Sequence, residues 1–234
     1  MDEKALKTSW KQRIIILVIA VLLLGSTIFA YMFIVLNGDG SKGSASTSSI
    51  EKLTEEYDRK TAEIQEAAKP LSDKYFKDFK TYLARAKAYN TANANAGGLH
   101  IEDLKRGDGK ELKEGDYDYM AYYLGWCADG TVFQSSFNSS DDPTGLNAPL
   151  IGNQDMIEGW SQGIIGMKLG GVRELTIPGE LAYGETKEIC GGKNSPLKFV
   201  VMALEKDENL AKLDEELAGI SLELYYAYYA GAGQ

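Results

Sequence analysis

Hydrophobic and polar positions divide the chain into an uncharged N-terminal run and a longer region of helical and alternating patterns. The run covers residues 14–36, IIILVIAVLLLGSTIFAYMFIVL, and contains no charged side chain. As a helix it would be about 34 Å long, which suffices to cross a bilayer. A cleaved signal peptide is the alternative, but its apolar core usually has about 7–15 residues, and this run continues past a cleavage point at Ala30. We therefore predict an uncleaved transmembrane anchor.

The basic side chains on either side of this run predict its orientation. Those before it are Lys4, Lys7, Lys11 and Arg13, whereas only Lys42 lies in the first stretch after it. Because cytoplasmic flanks carry the excess of Lys and Arg, residues 1–13 are predicted to be a cytoplasmic tail. The chain would then be a single-pass protein of the cell membrane, with the bulk of the chain extracytoplasmic. Residues 37–50 are rich in Gly and Ser, which predicts a flexible linker.

Helical periodicity dominates residues 51–96. Apolar side chains recur at steps of three, four or seven at the positions Ile50, Leu53, Tyr57, Ile64, Ala68 and Leu71. This spacing is typical of one helix face, and Pro70 should end or kink the helix. We interpret the segment as a helical stalk. Its apolar face could pack on another subunit to give a homodimer, on the downstream domain, or on the other half of the same hairpin.

Residues 97–206 show the patterns of a mixed α+β domain. Three runs alternate in a way that predicts strands, namely 117–124, 172–177 and 197–205. Asp129-Gly130 is a hairpin signal. One face of a short helix carries four apolar side chains, Met156, Ile157, Trp160 and Ile164. Residues 207–234 return to helical spacing and are predicted to form a C-terminal helical tail.

Composition excludes several classes of function. The net charge is -9 and no basic patch exists, so a nucleic-acid partner is not expected. One histidine and two cysteines leave too few nitrogen and sulfur ligands for a structural zinc site, and we expect no metal and no cofactor. Cys127 and Cys190 form no C-x-x-C motif. Outside the cytoplasm such a pair invites a disulfide, but the sequence leaves their proximity open.

Residues 99–206 carry a series of short motifs in a fixed order. They are Tyr123-Leu-Gly125, Asp129-Gly130-Thr131-Val-Phe133-x-Ser-Ser136, Ile157-x-Gly159-Trp160, Gly166-Met167-x-x-Gly170, Leu181-Ala182-Tyr183-Gly184 and Leu197-x-Phe199-x-Val201. In order and spacing this series resembles the FKBP-type peptidyl-prolyl cis-trans isomerase domain. The resemblance implies an antiparallel sheet of about five strands wrapped over the short helix at 158–164, preceded here by the transmembrane helix and the helical stalk.

The resemblance also implies a set of site residues. The catalytic positions fall on Tyr123, Phe133, Gln134, Trp160, Tyr183 and Phe199, and the substrate-binding positions on Met156, Ile157 and Ile189. A bound ligand would receive hydrogen bonds from the backbone N–H of Ile157 and the hydroxyl of Tyr183. The sequence departs from the family at Gln134, where an aspartate is common, and in the loops at 145–149 and 185–196.

The expected function follows from this resemblance. It is acceleration of X-Pro isomerisation in unfolded or nascent proteins that fold outside the cytoplasmic membrane. Isomerisation needs no nucleophile, since a thousandfold acceleration requires only about 4 kcal/mol of preferential transition-state binding. The alternative is a membrane-tethered chaperone or binding module that keeps an FKBP-like pocket with weak or no isomerase activity, and Gln134 makes this alternative relevant.

Overall fold

The computed structural model describes residues 47–232 of the chain. The predicted cytoplasmic tail, the apolar run at 14–36 and most of the predicted linker lie outside the described residues. In the described part, the α-helices are α1 (Thr47–Phe79), α2 (Thr91–Ala96), α3 (Glu158–Gly163) and α4 (Glu208–Ala232). The strands are β1 (His100–Lys105), β2 (Met120–Trp126), β3 (Val132–Ser135), β4 (Leu150–Ile151), β5 (Val172–Ile177) and β6 (Leu197–Leu204). Short 3₁₀ turns cover Lys80–Arg85 and Gly179–Leu181.

The strands form one antiparallel sheet in the order β1-β5-β6-β2-β3, with β4 paired to β2. Strands β2 and β5 are buried along their whole length, because both faces of the sheet centre are covered. The inner face packs on the short helix α3, and this confirms the predicted antiparallel sheet over a short helix. The sheet has six strands rather than about five.

The second half of α1 packs on the outer face of the sheet. Phe79 is fully buried, its ring lies 6.2 Å from that of Tyr122 and stacks 5.4 Å from that of Phe137. The ring of Tyr75 lies 6.3 Å from that of Tyr122. Of the alternatives that the helical pattern left open, packing on the downstream domain holds for these aromatic residues. They also explain why α1 continues past Pro70, since their burial offsets the hydrogen bond that proline cannot donate.

Side chains of α1 and of the following turn hold the loop that leads to β4. The N–H of Leu146 donates to the Ser72 hydroxyl at 2.8 Å, and the N–H of Ala148 donates to Gln65 Oε1 at 3.1 Å. The Lys80 ammonium donates to the carbonyl of Pro143 at 2.9 Å. This loop includes the segment at 145–149, where the sequence departs from the family, and α1 holds it through these hydrogen bonds as well as through the stacking of Phe79 on Phe137.

Contacts divide the chain into two compact units, of which residues 63–212 form the larger. The described part of the other unit comprises residues 47–62 and 213–232. Within it, Ile50, Leu224 and Ala227 form a small buried cluster, and the Lys60 ammonium lies 2.7 Å from a Glu216 carboxylate oxygen. The C-terminal tail therefore pairs with the start of α1. Self-association through the stalk stays a prediction, as do the predicted domain boundaries.

The predicted membrane topology requires correction. None of the helices between residues 47 and 232 is both long and apolar enough to cross a membrane. The long helix α1 carries charged side chains on most of its turns, as in its segment EKLTEEYDRK, and is a stalk helix. This finding contradicts the fold class with a transmembrane helix and the single-pass localisation with an extracytoplasmic domain. The apolar run on which both predictions were based lies outside the described residues.

Candidate active site

Four aromatic rings meet between the inner face of the sheet and α3. Trp160 of α3 lies edge-on to Tyr123 of β2, with ring centroids 5.9 Å apart, and edge-on to Phe199 of β6 at 5.5 Å. Phe133 of β3 lies edge-on to Phe199 at 5.6 Å. Such perpendicular arrangements suit the charge distribution of aromatic rings. The four rings form a continuous apolar surface, which we call the aromatic cluster.

Two glycines allow this close approach. A Cβ atom at Gly125 would lie 2.6 Å from the Phe199 ring and 3.0 Å from the Phe133 ring, so a side chain here would separate them. A Cβ atom at Gly159 would overlap the side chain of Ile177, so glycine lets α3 lie directly on β5. Because Gly159 has no side chain, α3 approaches β5 closely. The indole of Trp160, the next residue of that helix, therefore lies against the sheet.

A buried cation fixes the end of α3. The Arg173 guanidinium, on a residue only 5% exposed, donates to the carbonyls of Gly163 at 2.7 Å and Ile165 at 3.0 Å. It also donates to the Asp103 carboxylate at 2.7 Å. Cations at helix C-termini satisfy carbonyls that have no partner within the helix. Arg173 therefore ties the helix that carries Trp160 to both β5 and β1.

Tyr119 is part of the site although the sequence analysis did not select it. Its hydroxyl accepts a hydrogen bond from the Trp160 indole N–H at 3.0 Å, and the residue is fully buried. Burial raises the pKa of Tyr119 to about 12. The signal that could have found it is the alternation of the strand pattern, which places Tyr119, Ala121 and Tyr123 on one face.

The polar groups of the site surround the aromatic cluster. Burial is the main cause that raises the pKa of Tyr123, the neighbouring Tyr183 raises it further, and a hydrogen bond with the Gln134 side chain opposes both. Burial also raises the pKa of Tyr183, whose hydroxyl has no hydrogen-bond partner among residues 47–232. The backbone N–H of Ile157, at the start of α3, likewise has no acceptor in that range. Two donors at the edge of an apolar surface are thus free for a ligand.

The loop at 185–196 is held against this site at two points. Cys190 forms a disulfide with Cys127, with a Cα–Cα distance of 5.3 Å, and thereby links the loop to the end of β2. The side chain of Ile189 packs on the core cluster beside it. The disulfide resolves the question that the sequence left open. A third contact was missed in the sequence, namely the Lys187 ammonium, which lies 4.5 Å from the centroid of the Tyr183 ring.

The structure brings the predicted site residues together. Tyr123, Trp160 and Phe199 belong to the buried core cluster, and five others pack against it as partly buried side chains: Phe133, Met156, Ile157, Tyr183 and Ile189. Gln134 joins the site through its hydrogen bond with Tyr123. Their assignment to catalysis or substrate binding stays a prediction.

Replacing Tyr119 by phenylalanine should alter how stability depends on pH. Below about pH 9 the variant should be less stable by about 1–3 kcal/mol, because the buried Trp160 N–H loses its acceptor. The raised pKa of Tyr119, about 12 in the fold against an ordinary 10.0, stabilises the wild type fully below pH 10. That contribution, about 3 kcal/mol, is lost as the pH rises through 12. Urea unfolding followed by circular dichroism at pH 8 to 12 should show the two proteins converging.

If the stability difference between wild type and Tyr119→Phe stays constant over this pH range, the pKa of Tyr119 is not raised in the folded protein. Other buried tyrosines titrate in both proteins, so the difference between the two curves isolates Tyr119. Tyr122→Phe is the matched control for the hydrogen bond at pH 8, because Tyr122 is equally buried but its hydroxyl has no hydrogen-bond partner in the described part of the chain, so no buried donor loses its acceptor. This control should leave the Trp160 environment unchanged.

Comparison with known proteins relates the chain to one family. A sequence model of the family described as FKBP-type peptidyl-prolyl cis-trans isomerase matches residues 109–204. The FK506-binding protein of Neisseria meningitidis serogroup A is 43% identical over 109 residues, which cover 47% of this chain and 94% of that protein. Its counterpart from serogroup B is 44% identical over 88 residues, or 38% of this chain and 76% of that protein. The crystal structure of AtFKBP13 matches 48% of this chain and 96% of its own, at 33% identity and a TM-score of 0.37. The chain therefore belongs to the FKBP-type peptidyl-prolyl cis-trans isomerase family.

Proposed function

We propose that this chain accelerates the isomerisation of X-Pro bonds in unfolded or nascent proteins, with the proline ring held on the aromatic cluster. The observation that carries this proposal is the pair of free donors, the Ile157 N–H and the Tyr183 hydroxyl, at the edge of that apolar surface. Proline has no N–H, so the groups that a site can hold are its apolar ring and the flanking carbonyl oxygens. The aromatic cluster can hold the proline ring, and the two free donors can bind the carbonyl oxygens.

The chemistry needs only preferential binding of the twisted bond. The barrier to rotation about a peptide bond is about 18–20 kcal/mol because resonance keeps the amide planar. As the bond twists, the amide loses resonance and becomes less polar. A surface of aromatic rings therefore raises the free energy of the twisted amide less than water does. Each tenfold acceleration corresponds to about 1.4 kcal/mol. Donors that hold the flanking carbonyls during rotation supply part of this difference, in the manner of fixed hydrogen-bond donors in other active sites.

The proposed substrates fold in an oxidising environment. This part of the proposal is supported by the Cys127–Cys190 disulfide, because disulfides form and persist in oxidising compartments and are rare in the reducing cytosol. Slow X-Pro isomerisation, which takes tens of seconds, limits the folding of many chains in such compartments as elsewhere.

A second candidate function is a binding module that holds proline-containing segments without turning them over. The observation that favours it is Gln134, a neutral side chain that forms the hydrogen bond with the Tyr123 hydroxyl. A carboxylate at that position would orient the phenol more strongly, because hydrogen bonds to charged groups are about twice as strong as neutral ones. An amide can hold the same geometry more weakly, which would lower the rate while leaving the apolar surface intact.

One experiment separates these two functions. The full chain is added to a short peptide with one X-Pro bond, and cis-trans exchange is measured by NMR together with binding of the peptide. The isomerase should raise the exchange rate well above background, and Tyr183→Phe should lower kcat/KM because the free hydroxyl is lost. A peptide that binds without any change in exchange rate would favour the binding module and contradict the isomerase.

A further inference from the structure

A cation stands at the edge of the proposed site. The Lys187 ammonium lies over the face of the Tyr183 ring, 4.5 Å from its centroid, and the side chain is half-buried. The Tyr183 ring is packed against the core cluster and carries one of the two free donors. An ammonium group over a tyrosine ring is attracted by the electron-rich face of the ring, and the attraction is larger when the pair is partly removed from water.

Lys187 has no carboxylate partner in the described part of the chain. Its neighbours Glu185 and Glu188 are exposed, and neither forms an ion pair with it. Burial lowers the pKa of Lys187, and no neighbouring acid opposes that effect. A partly desolvated cation without a counter-ion is unfavourable by itself, so an anionic group that arrives with a ligand would be attracted to it.

The backbone on both sides of Lys187 is anchored. On one side, the N–H of Gly184 donates to the carbonyl of Gly179 at 2.8 Å, and the Gly184 carbonyl accepts from Asn194 N–H at 2.7 Å. On the other side, Cys190 is covalently bound to Cys127. The anchored backbone therefore restricts the positions that the Lys187 ammonium can occupy and keeps it near the aromatic cluster. This restriction reduces the conformational entropy that is lost when the ammonium pairs with a ligand.

We propose that Lys187 is a specificity-determining residue, which favours substrates that carry an aspartate or glutamate immediately before the proline. This inference rests on the proposed function, because it names the substrate class of the same site. The chain as a whole has an excess of acidic side chains, with a net charge of -9, and does not attract an acidic substrate by its overall charge. Such a substrate therefore gains a favourable contact here only from a specific cation. Lys187 supplies that cation at the rim of the site.

The test compares peptides that differ only in the residue before proline, Glu, its neutral isostere Gln, or Lys. For the wild type we expect kcat/KM to be roughly three- to tenfold higher for the Glu peptide than for the Gln peptide, as a partly buried ion pair provides. Lys187→Gln should bring this ratio close to one, and Lys187→Glu should reverse the preference toward the Lys peptide. Lys187→Arg should keep the Glu preference, because the positive charge is retained.

Lys193→Gln is the matched control, since Lys193 belongs to the same loop but is exposed. It should leave the Glu-to-Gln ratio at the wild-type value. A ratio that is the same in wild type and in Lys187→Gln, with both peptides turned over, overturns the inference and leaves the isomerase function standing. Absence of turnover for every peptide would instead contradict the isomerase function and the inference together. Circular dichroism of each variant verifies that the fold is kept.

Discussion

Replacing Trp160 by alanine should lower the free energy of unfolding by about 3–5 kcal/mol and abolish measurable turnover of an X-Pro peptide. The indole is 3% exposed and contacts both Tyr123 and Phe199, so its removal leaves a cavity at the centre of the aromatic cluster. The Tyr119 hydroxyl also loses its donor. Urea unfolding followed by circular dichroism measures the first effect, and peptide exchange measures the second.

Because typical domains are stable by only about 5–15 kcal/mol, the milder variant Trp160→Phe keeps the prediction testable if the alanine variant fails to fold. It retains an aromatic ring and removes the indole N–H, and we expect about tenfold lower kcat/KM, equivalent to about 1.4 kcal/mol. Trp126→Phe is the matched control. Trp126 is 1% exposed and also donates its indole N–H, to the carbonyl of Lys87 at 3.2 Å, but it lies outside the aromatic cluster. It should lower stability without lowering kcat/KM, and equal losses of activity in both variants would contradict the role of Trp160.

The parts of the fold that local pattern and family motifs describe were predictable. Alternating apolar positions indicated the strands at 172–177 and 197–205, because a strand with a buried face repeats every two residues. The motif around Trp160 predicted the short helix and its place under the sheet. The family resemblance predicts the residues that meet there, Tyr123 and Phe199 among them.

Other features depend on partners that lie far away in the chain, and periodicity carries no information about those. The helical pattern of α1 predicted one buried face, but it could not choose between a second subunit and the sheet as the surface that covers Tyr75 and Phe79. The hydrogen bond from Trp160 to Tyr119 joins residues 41 positions apart, and only the register of α3 on the sheet brings them within reach. The position of Lys187 over Tyr183 depends in the same way on the path of an irregular loop.

Breaking the Cys127–Cys190 disulfide should lower the free energy of unfolding by about 4 kcal/mol. The cysteines are 63 residues apart, and a cross-link that closes a loop of this length removes that much entropy, in free-energy terms, from the unfolded chain. The double variant Cys127→Ser/Cys190→Ser and the reduced wild type should both show the loss in urea unfolding. Reductant should leave the double variant unchanged, and this serves as the control. Equal midpoints for oxidised wild type and the double variant would contradict the prediction.

The same change should loosen one side of the disulfide more than the other. Cys127 remains in a turn that has its own hydrogen bonds, since its N–H donates to the Thr131 carbonyl at 2.8 Å and its carbonyl accepts from Gly130 N–H at 2.9 Å. Cys190 itself forms no backbone hydrogen bond in the described part of the chain, and only its neighbours Ile189 and Gly192 bond to each other, at 3.0 and 3.2 Å. Hydrogen exchange should therefore accelerate at 185–196 and not at 127–131. Because Lys187 and Ile189 border the proposed site, a several-fold fall in kcat/KM should accompany that loss of protection, and unchanged activity with a freely exchanging loop would show that the loop takes no part in turnover.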